Sequence, residues 1–235
     1  MQTGHVNIEE LKLKSKNAGE PVHVTEKITF AGNEPEIEKA LEKVQETLAP
    51  LNLGKKDALR VNLLCEESIG MVKALAGDFD AVIWVEKYEK ECAIQLRLAT
   101  EMDLGKRADF INVSTDKKNA ASTGFMKKIT DIVLAGIMNS GNIAALNQEF
   151  DAGSVAYGAM GSYMAAGALA NPMASYGAIW SLGSYRDKLD EMEESATVNQ
   201  AWDELEKSIV ASIAKDVIVG IKDKTVGMMI EYNLA

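Results

Sequence analysis

Two adjacent acids, Glu66 and Glu67, are the residues whose type and setting could do chemistry in this chain. They lie in LRVNLLCEESIGMVKALA, residues 59–76, where Val61, Leu64, Cys65, Ser68, Val72 and Leu75 recur at the three-four spacing of one buried helix face. Glu67 falls on the neighbouring stripe with Leu63, Gly70, Met71 and Ala74, so a helix here sets it among small and apolar side chains. Glu66 lies about a hundred degrees further round. A carboxylate at the rim of a core reads as a candidate site acid. Two boundary acids that serve solubility are the alternative. Other chemistries have little to work with. Only His5 and His23 are available for a histidine metal site or a Ser-His-Asp triad. Cys65 and Cys92 sit in apolar patterns without metal spacing and read as reduced core residues of a cytoplasmic protein.

The 235 residues, 47% of them apolar, suffice for one large domain or two small ones with a real core. A net charge of −10 argues against a nucleic-acid partner and against attraction to an anionic membrane surface. The first twenty residues are polar, lack the apolar run of a signal peptide, and read as a flexible segment with a short helical tendency over residues 8–14.

The elements that must position the acids follow in order. VHVTEKITF, residues 22–30, alternates as a half-buried strand. Pro35 starts a helix whose face is Ile37, Leu41, Val44 and Leu48, and Pro50 breaks it. The Glu66-Glu67 helix closes at Gly77. Two strands follow, residues 79–88 with Val82, Trp84 and Glu86 on one side and residues 92–100 with Ile94, Leu96 and Leu98 inward. A polar connection over residues 101–118 contains Asp103, Gly105, Lys106 and Arg107, and its cations Lys106 and Arg107 would suit a small anionic or nucleotide ligand. Residues 120–137 predict a helix with Phe125, Ile129, Ile132, Val133 and Gly136 on its apolar side.

Residues 152–185 carry no charge and read as two helices joined at Asn171-Pro172. Each half is too short and too weakly apolar to span a bilayer. Small residues at Gly153, Gly161 and Ala165 allow close helix approach, either within the chain or between two copies. Residues 186–194 read as a charged turn or helix end, and Trp202, Leu205, Ile209 and Ile213 mark one further amphipathic helix. The last twenty residues predict a hairpin, residues 217–221 and 226–232.

This order of elements resembles the GHKL ATPase superfamily, the histidine-kinase-like ATPase fold, nearest to the anti-sigma-factor serine kinases. ITFAGNEPEIEKALEKVQETLAPLNLGKKDALRVNLLCEESIGMVKAL is similar to the family's opening strand, first helix and Glu-bearing second helix. FDAVIWVEKYEKECAIQLRLAT stands in place of its next hairpin, and SIVASIAKDVIVGIKDKTVGMMIEY resembles the helix and hairpin that complete the sheet. The resemblance implies an α+β fold, a two-layer sandwich of a mixed, mostly antiparallel sheet with helices on one face. It implies a sandwich over residues 21–104 and 199–235, with an enlarged all-helical insert at 105–198 in place of the ATP lid. An alternative keeps the family's Gly-rich helix start at Ala121 to Phe125 and places the insert after residue 138.

The motif-equivalent positions follow from the same resemblance. Glu67, or alternatively Glu66, stands where the family has its catalytic base. The family's magnesium-ligating Asn, four residues on, is Met71 after Glu67 or Gly70 after Glu66, and neither can ligate a metal. Thr100 stands where the family's adenine-reading Asp is expected, Asp103 and Gly105 form a shifted remnant of that motif, and Gly124 is what is left of the phosphate-capping glycines. The implied function is a regulatory protein-binding or scaffolding module with lost or weakened ATP binding, requiring no cofactor and no metal. The alternative is an active ATP-dependent protein kinase or ATPase with Glu67 as base. The partner would be a regulatory protein, or a second copy bound through residues 152–185.

Overall fold

The computed structural model describes residues 13, 19–74, 79–100, 125, 128–130, 132–133, 178–222 and 225–235. Leu75, Asp103, Gly105, Lys106, Arg107, Gly124, Gly136 and residues 152–177 lie outside them.

The predicted first strand is two short pieces, β1 (His23–Val24) and β2 (Ile28–Ala31), both paired with β3 (Phe79–Lys87). His23 and Val24 face Lys87 and Glu86, and the ladder resumes at Ile28 opposite Ile83. Thr25, Glu26 and Lys27 thus oppose only Trp84 and Val85, the one-residue excess of a bulge. Thr25 repairs the gap: its N–H donates to the Val85 carbonyl at 2.9 Å, and its hydroxyl accepts the Val85 N–H at 2.9 Å. Thr25→Val keeps shape but leaves that buried N–H without its acceptor, so chemical denaturation should show a loss of about 1–3 kcal/mol.

Asn33 caps α1 (Glu34–Leu48) by accepting the Glu36 N–H at 3.2 Å, and Pro35 fits its first turn. A short 3-10 turn, Ala49–Leu51, and the left-handed Asn52 at φ 47° redirect the chain into α2 (Lys55–Ala74). β3 returns through a tight hairpin to β4 (Glu91–Thr100), in register from Phe79 opposite Thr100 to Lys87 opposite Cys92.

β5 (Ala178–Ser181) leads directly into α3 (Leu182–Glu191), with Ser181 capping by accepting the Ser184 N–H at 3.1 Å. The described end of the 152–185 stretch is therefore strand and first helical turn rather than a second helix, and residues 105–198 are not helical throughout. Ile179 and Trp180, residues that favour a pleated surface, fit this outcome. Of the two readings of 186–194, turn or helix end, the structure gives the second: the stretch is the end of α3 up to Glu191.

The predicted helix through Trp202 and Ile213 is two helices, α4 (Ala196–Lys207) and α5 (Ile209–Ile213). Ser208 between them is extended, at φ −86° and ψ 123°, and its side chain accepts the Ala211 N–H at 3.2 Å. A hydroxyl that caps a new turn ends the old one.

β6 (Asp216–Lys222) and β7 (Thr225–Asn233) form the predicted closing hairpin. β7 pairs with β4 from Glu91 opposite Asn233 to Ala99 opposite Thr225. The closing strands therefore share one sheet with those before residue 101, in the order β1/β2, β3, β4, β7, β6, β5. Every pairing among the described strands is antiparallel, in line with the mostly antiparallel sheet expected.

One hydrophobic core lies between the sheet and its helices. Ile83, Leu96, Met228 and Val219 supply the sheet side, and Val44, Leu64, Leu189, Leu205 and Val210 the helix side. Phe125, Ile129, Ile132 and Val133, on the helix predicted at 120–137, are buried in this same core. Sheet and core thus draw on residues inside 105–198 at both of its ends. Among the described residues, no helix is long and apolar enough to cross a membrane.

Candidate functional site

α2 lays Val61, Leu64, Cys65, Ser68, Ile69 and Val72 against the core, which is the predicted face with Ile69 added. Ser68 is tolerated there because its hydroxyl donates to the Leu64 carbonyl at 2.7 Å. The start of the helix is tied to the sheet by Asp57, which accepts the Tyr232 hydroxyl at 2.6 Å. Burial pushes the Cys65 thiol far above its ordinary range, with Cys92 and Glu66 adding to it. Burial likewise pushes Cys92 up to about 12, against the pull of Lys87. Neither thiol is poised as a nucleophile.

The two candidate acids differ in setting. Glu66 is exposed, and Asn62 one turn earlier donates its side-chain N–H to Glu66 Oε1 at 2.6 Å. Glu67 is half-buried, and among the described residues it has no hydrogen-bond or ion-pair partner. Met71, one turn beyond Glu67, is only 3% exposed and belongs to the core. Gly70, one turn beyond Glu66, faces open space. Thr100 ends β4 opposite Phe79, and Asp103, Gly105 and Gly124 lie outside the described residues. The motif-equivalent positions on α2 therefore present a carboxylate beside a thioether, a pair without a hard oxygen ligand at the second position. Among the described residues, no group of three His, Cys, Asp or Glu side chains is arranged to hold a metal ion.

Sequence reasoning missed a polar layer on the other face of the sheet. β3 is buried on both faces over most of its length, and Val82, Trp84 and Glu86 face away from the helices. Gln95 and Arg97 of β4 are the cross-strand partners of Trp84 and Val82 and share that face. Glu86, 1% exposed, accepts the Trp84 indole N–H at 2.9 Å and the Tyr88 hydroxyl at 2.7 Å. Burial, reinforced by the bond to Glu86, holds the Tyr88 phenol well above its ordinary range. Arg97 donates to Gln95 Oε1 at 3.0 Å, and its guanidinium lies 5.3 Å from the Trp84 ring centroid. Further along the sheet, Lys215 bridges Glu91 at 2.7 Å and Glu231 at 3.3 Å.

The signal for this layer was present in the strands: Trp84-Glu86, Gln95-Arg97 and Glu231 each sit at period two within apolar runs. Trp84 and Tyr88 bond Glu86, and Arg97 bonds Gln95, an arrangement that holds this face of the sheet together. A second polar contact closes the α3 side, where Lys128 donates to the Tyr185 hydroxyl at 2.9 Å and pairs with Glu204 at 3.3 Å. Comparison of this chain with family models, with curated proteins and with solved structures finds no match.

Proposed function

We propose that this chain is a regulatory protein-binding module built on a GHKL-type sandwich in which Mg-ATP binding has been lost or weakened. The kinship is supported by the antiparallel ladder between β4 and β7, which puts the closing hairpin where the resemblance requires it. The loss of nucleotide chemistry rests on one observation above all. Met71 stands at the position of the family's magnesium-ligating Asn and is packed into the core, so no side-chain rotation brings a ligand there. Losing that ligand and the adenine-reading acid removes roughly 1–3 kcal/mol each, as judged from hydrogen bonds to charged or buried groups.

Binding is then left to surfaces: a regulatory protein, or a second copy through the uncharged residues 152–185, in a cytoplasmic setting that keeps Cys65 and Cys92 reduced. A second reading, an ATP-dependent protein kinase or ATPase with Glu67 as base, is favoured by the half-buried and uncommitted Glu67 carboxylate. Thermal melting separates the two. A ligand at a hundred times its Kd adds about 2.7 kcal/mol, several degrees for a domain of this size. The module reading expects the same melting temperature with and without millimolar Mg-ATP. A shift that disappears in Glu67→Ala would favour the enzyme reading instead.

A further inference from the structure

The sheet face opposite the helices is covered, and one described residue shows by what. Leu13 is fully buried, yet it stands outside the helix-side core together with Val82, Trp84, Ile218 and Met229 of this second face. Its carbonyl accepts the Gln95 side-chain N–H at 2.9 Å. Gln95 is itself fully buried, and its other amide atom is taken by Arg97. An amide with both ends committed, one of them to a main-chain carbonyl eighty-two positions away in sequence, fixes the backbone at Leu13 as well as its side chain.

The local sequence, LKLKSK over residues 11–16, brings basic side chains on both sides of the buried leucine. The face it meets carries Glu86, bonded by Trp84 and Tyr88, Glu91 and Glu231, both paired with Lys215, and the Arg97 guanidinium. Its charges are thus balanced, and apolar contact at Leu13 is what the segment adds.

We infer that the second sheet face is a docking surface for a leucine-bearing peptide segment, and that the segment of this chain carrying Leu13 is its resident occupant, anchored by Leu13 and Gln95. The segment is thereby an internal competitor for any partner that uses this face. This inference is independent of the nucleotide question.

The test uses the full chain with a specific protease site placed within residues 14–18, cut after folding. The freed N-terminal fragment should stay with the body through gel filtration, and an excess of synthetic peptide spanning residues 8–18 should exchange it. Leu13→Asp should release the fragment on cutting, and Gln95→Ala should speed its loss roughly tenfold, the worth of one buried hydrogen bond. Cys65 and Cys92, on the opposite side of the sheet, report integrity through their resistance to a thiol reagent. If Leu13→Asp exposes them, Leu13→Ala replaces it, with faster fragment loss expected. Loss of the wild-type fragment as fast as that of the Leu13 variant, with the thiols still protected, would overturn the proposal.

Discussion

Trp180→Ala is expected to destabilise the protein by about 3–5 kcal/mol, the usual cost of emptying a large aromatic site that cannot collapse. Trp180 is fully buried on β5, with the Phe125 ring centroid at 6.2 Å and the Tyr185 ring centroid at 6.1 Å. It therefore joins Phe125 to the strand and helix, β5 and α3, that follow it by more than fifty residues in sequence. A loss of that size takes up much of the 5–15 kcal/mol by which a domain is stable. It should lower the melting temperature by roughly 10 °C. Trp180→Phe should cost much less, about 1 kcal/mol, because the indole N–H has no acceptor among the described residues and its removal relieves an unpaired buried donor. Melting both variants tests the packing directly. An alanine variant that melts with the wild type would mean that β5 does not hold the sheet edge in place.

The second large effect is Lys215→Met. Glu91 and Glu231 lie on neighbouring strands, both under 10% exposed, and Lys215 is the cation that both contact. Removing one partner of a buried pair leaves charge uncompensated, at about 3–5 kcal/mol. Lys215 keeps 29% exposure, so the lower end, about 3 kcal/mol, is expected. The interaction also has a pH signature. Burial opposes the charge on Lys215, but the hydrogen bond it donates to Glu91 and the charges of Glu231 and Glu91 outweigh it and raise its pKa above the ordinary lysine value. A lysine with a raised folded pKa contributes its full stabilisation below the unfolded value, about 10.4, and loses it as pH climbs through the folded value. The difference in stability between wild type and Lys215→Met, followed by denaturant titration, should be flat from neutral pH to about pH 10 and shrink above it. A difference that grows with alkalinity would contradict this assignment.

Much of the architecture was legible in the residues because local signals agreed with tertiary demands. Pro35 marks the start of α1, Ile37 and Val44 its buried face, and the alternation in residues 92–100 marks β4. The elements missed are those where a hydroxyl overrides a periodic pattern. Ser208 splits a helix whose apolar spacing runs straight through it, and Thr25 absorbs the extra residue of a bulge that alternation alone reads as continuous strand. β5 was hidden by composition: a Gly, Ala and Ser background gives no period, and only Ile179-Trp180 stands out.

The candidate site was legible to a smaller degree. The helix periodicity placed Glu67 at the rim of the core, where it is half-buried, but set Met71 on that same rim stripe, whereas the structure packs Met71 into the core. It could not reveal that Glu66 is engaged by Asn62, since a side-chain bond one turn apart depends on rotamers rather than on spacing. The polar layer around Glu86 was missed for a different reason. Acids inside a strand are ordinarily read as solvent-facing, and only a sheet buried on both faces turns Trp84, Glu86, Gln95 and Arg97 into a network.

Isothermal titration calorimetry with Mg-ATP, and separately with ADP, tests the proposed loss of nucleotide chemistry most directly. With Met71 in the core at the metal-ligand position, neither nucleotide should give saturable heat in the micromolar range, and Glu67→Ala should leave both traces unchanged. Micromolar binding of Mg-ATP that Glu67→Ala abolishes would contradict the account.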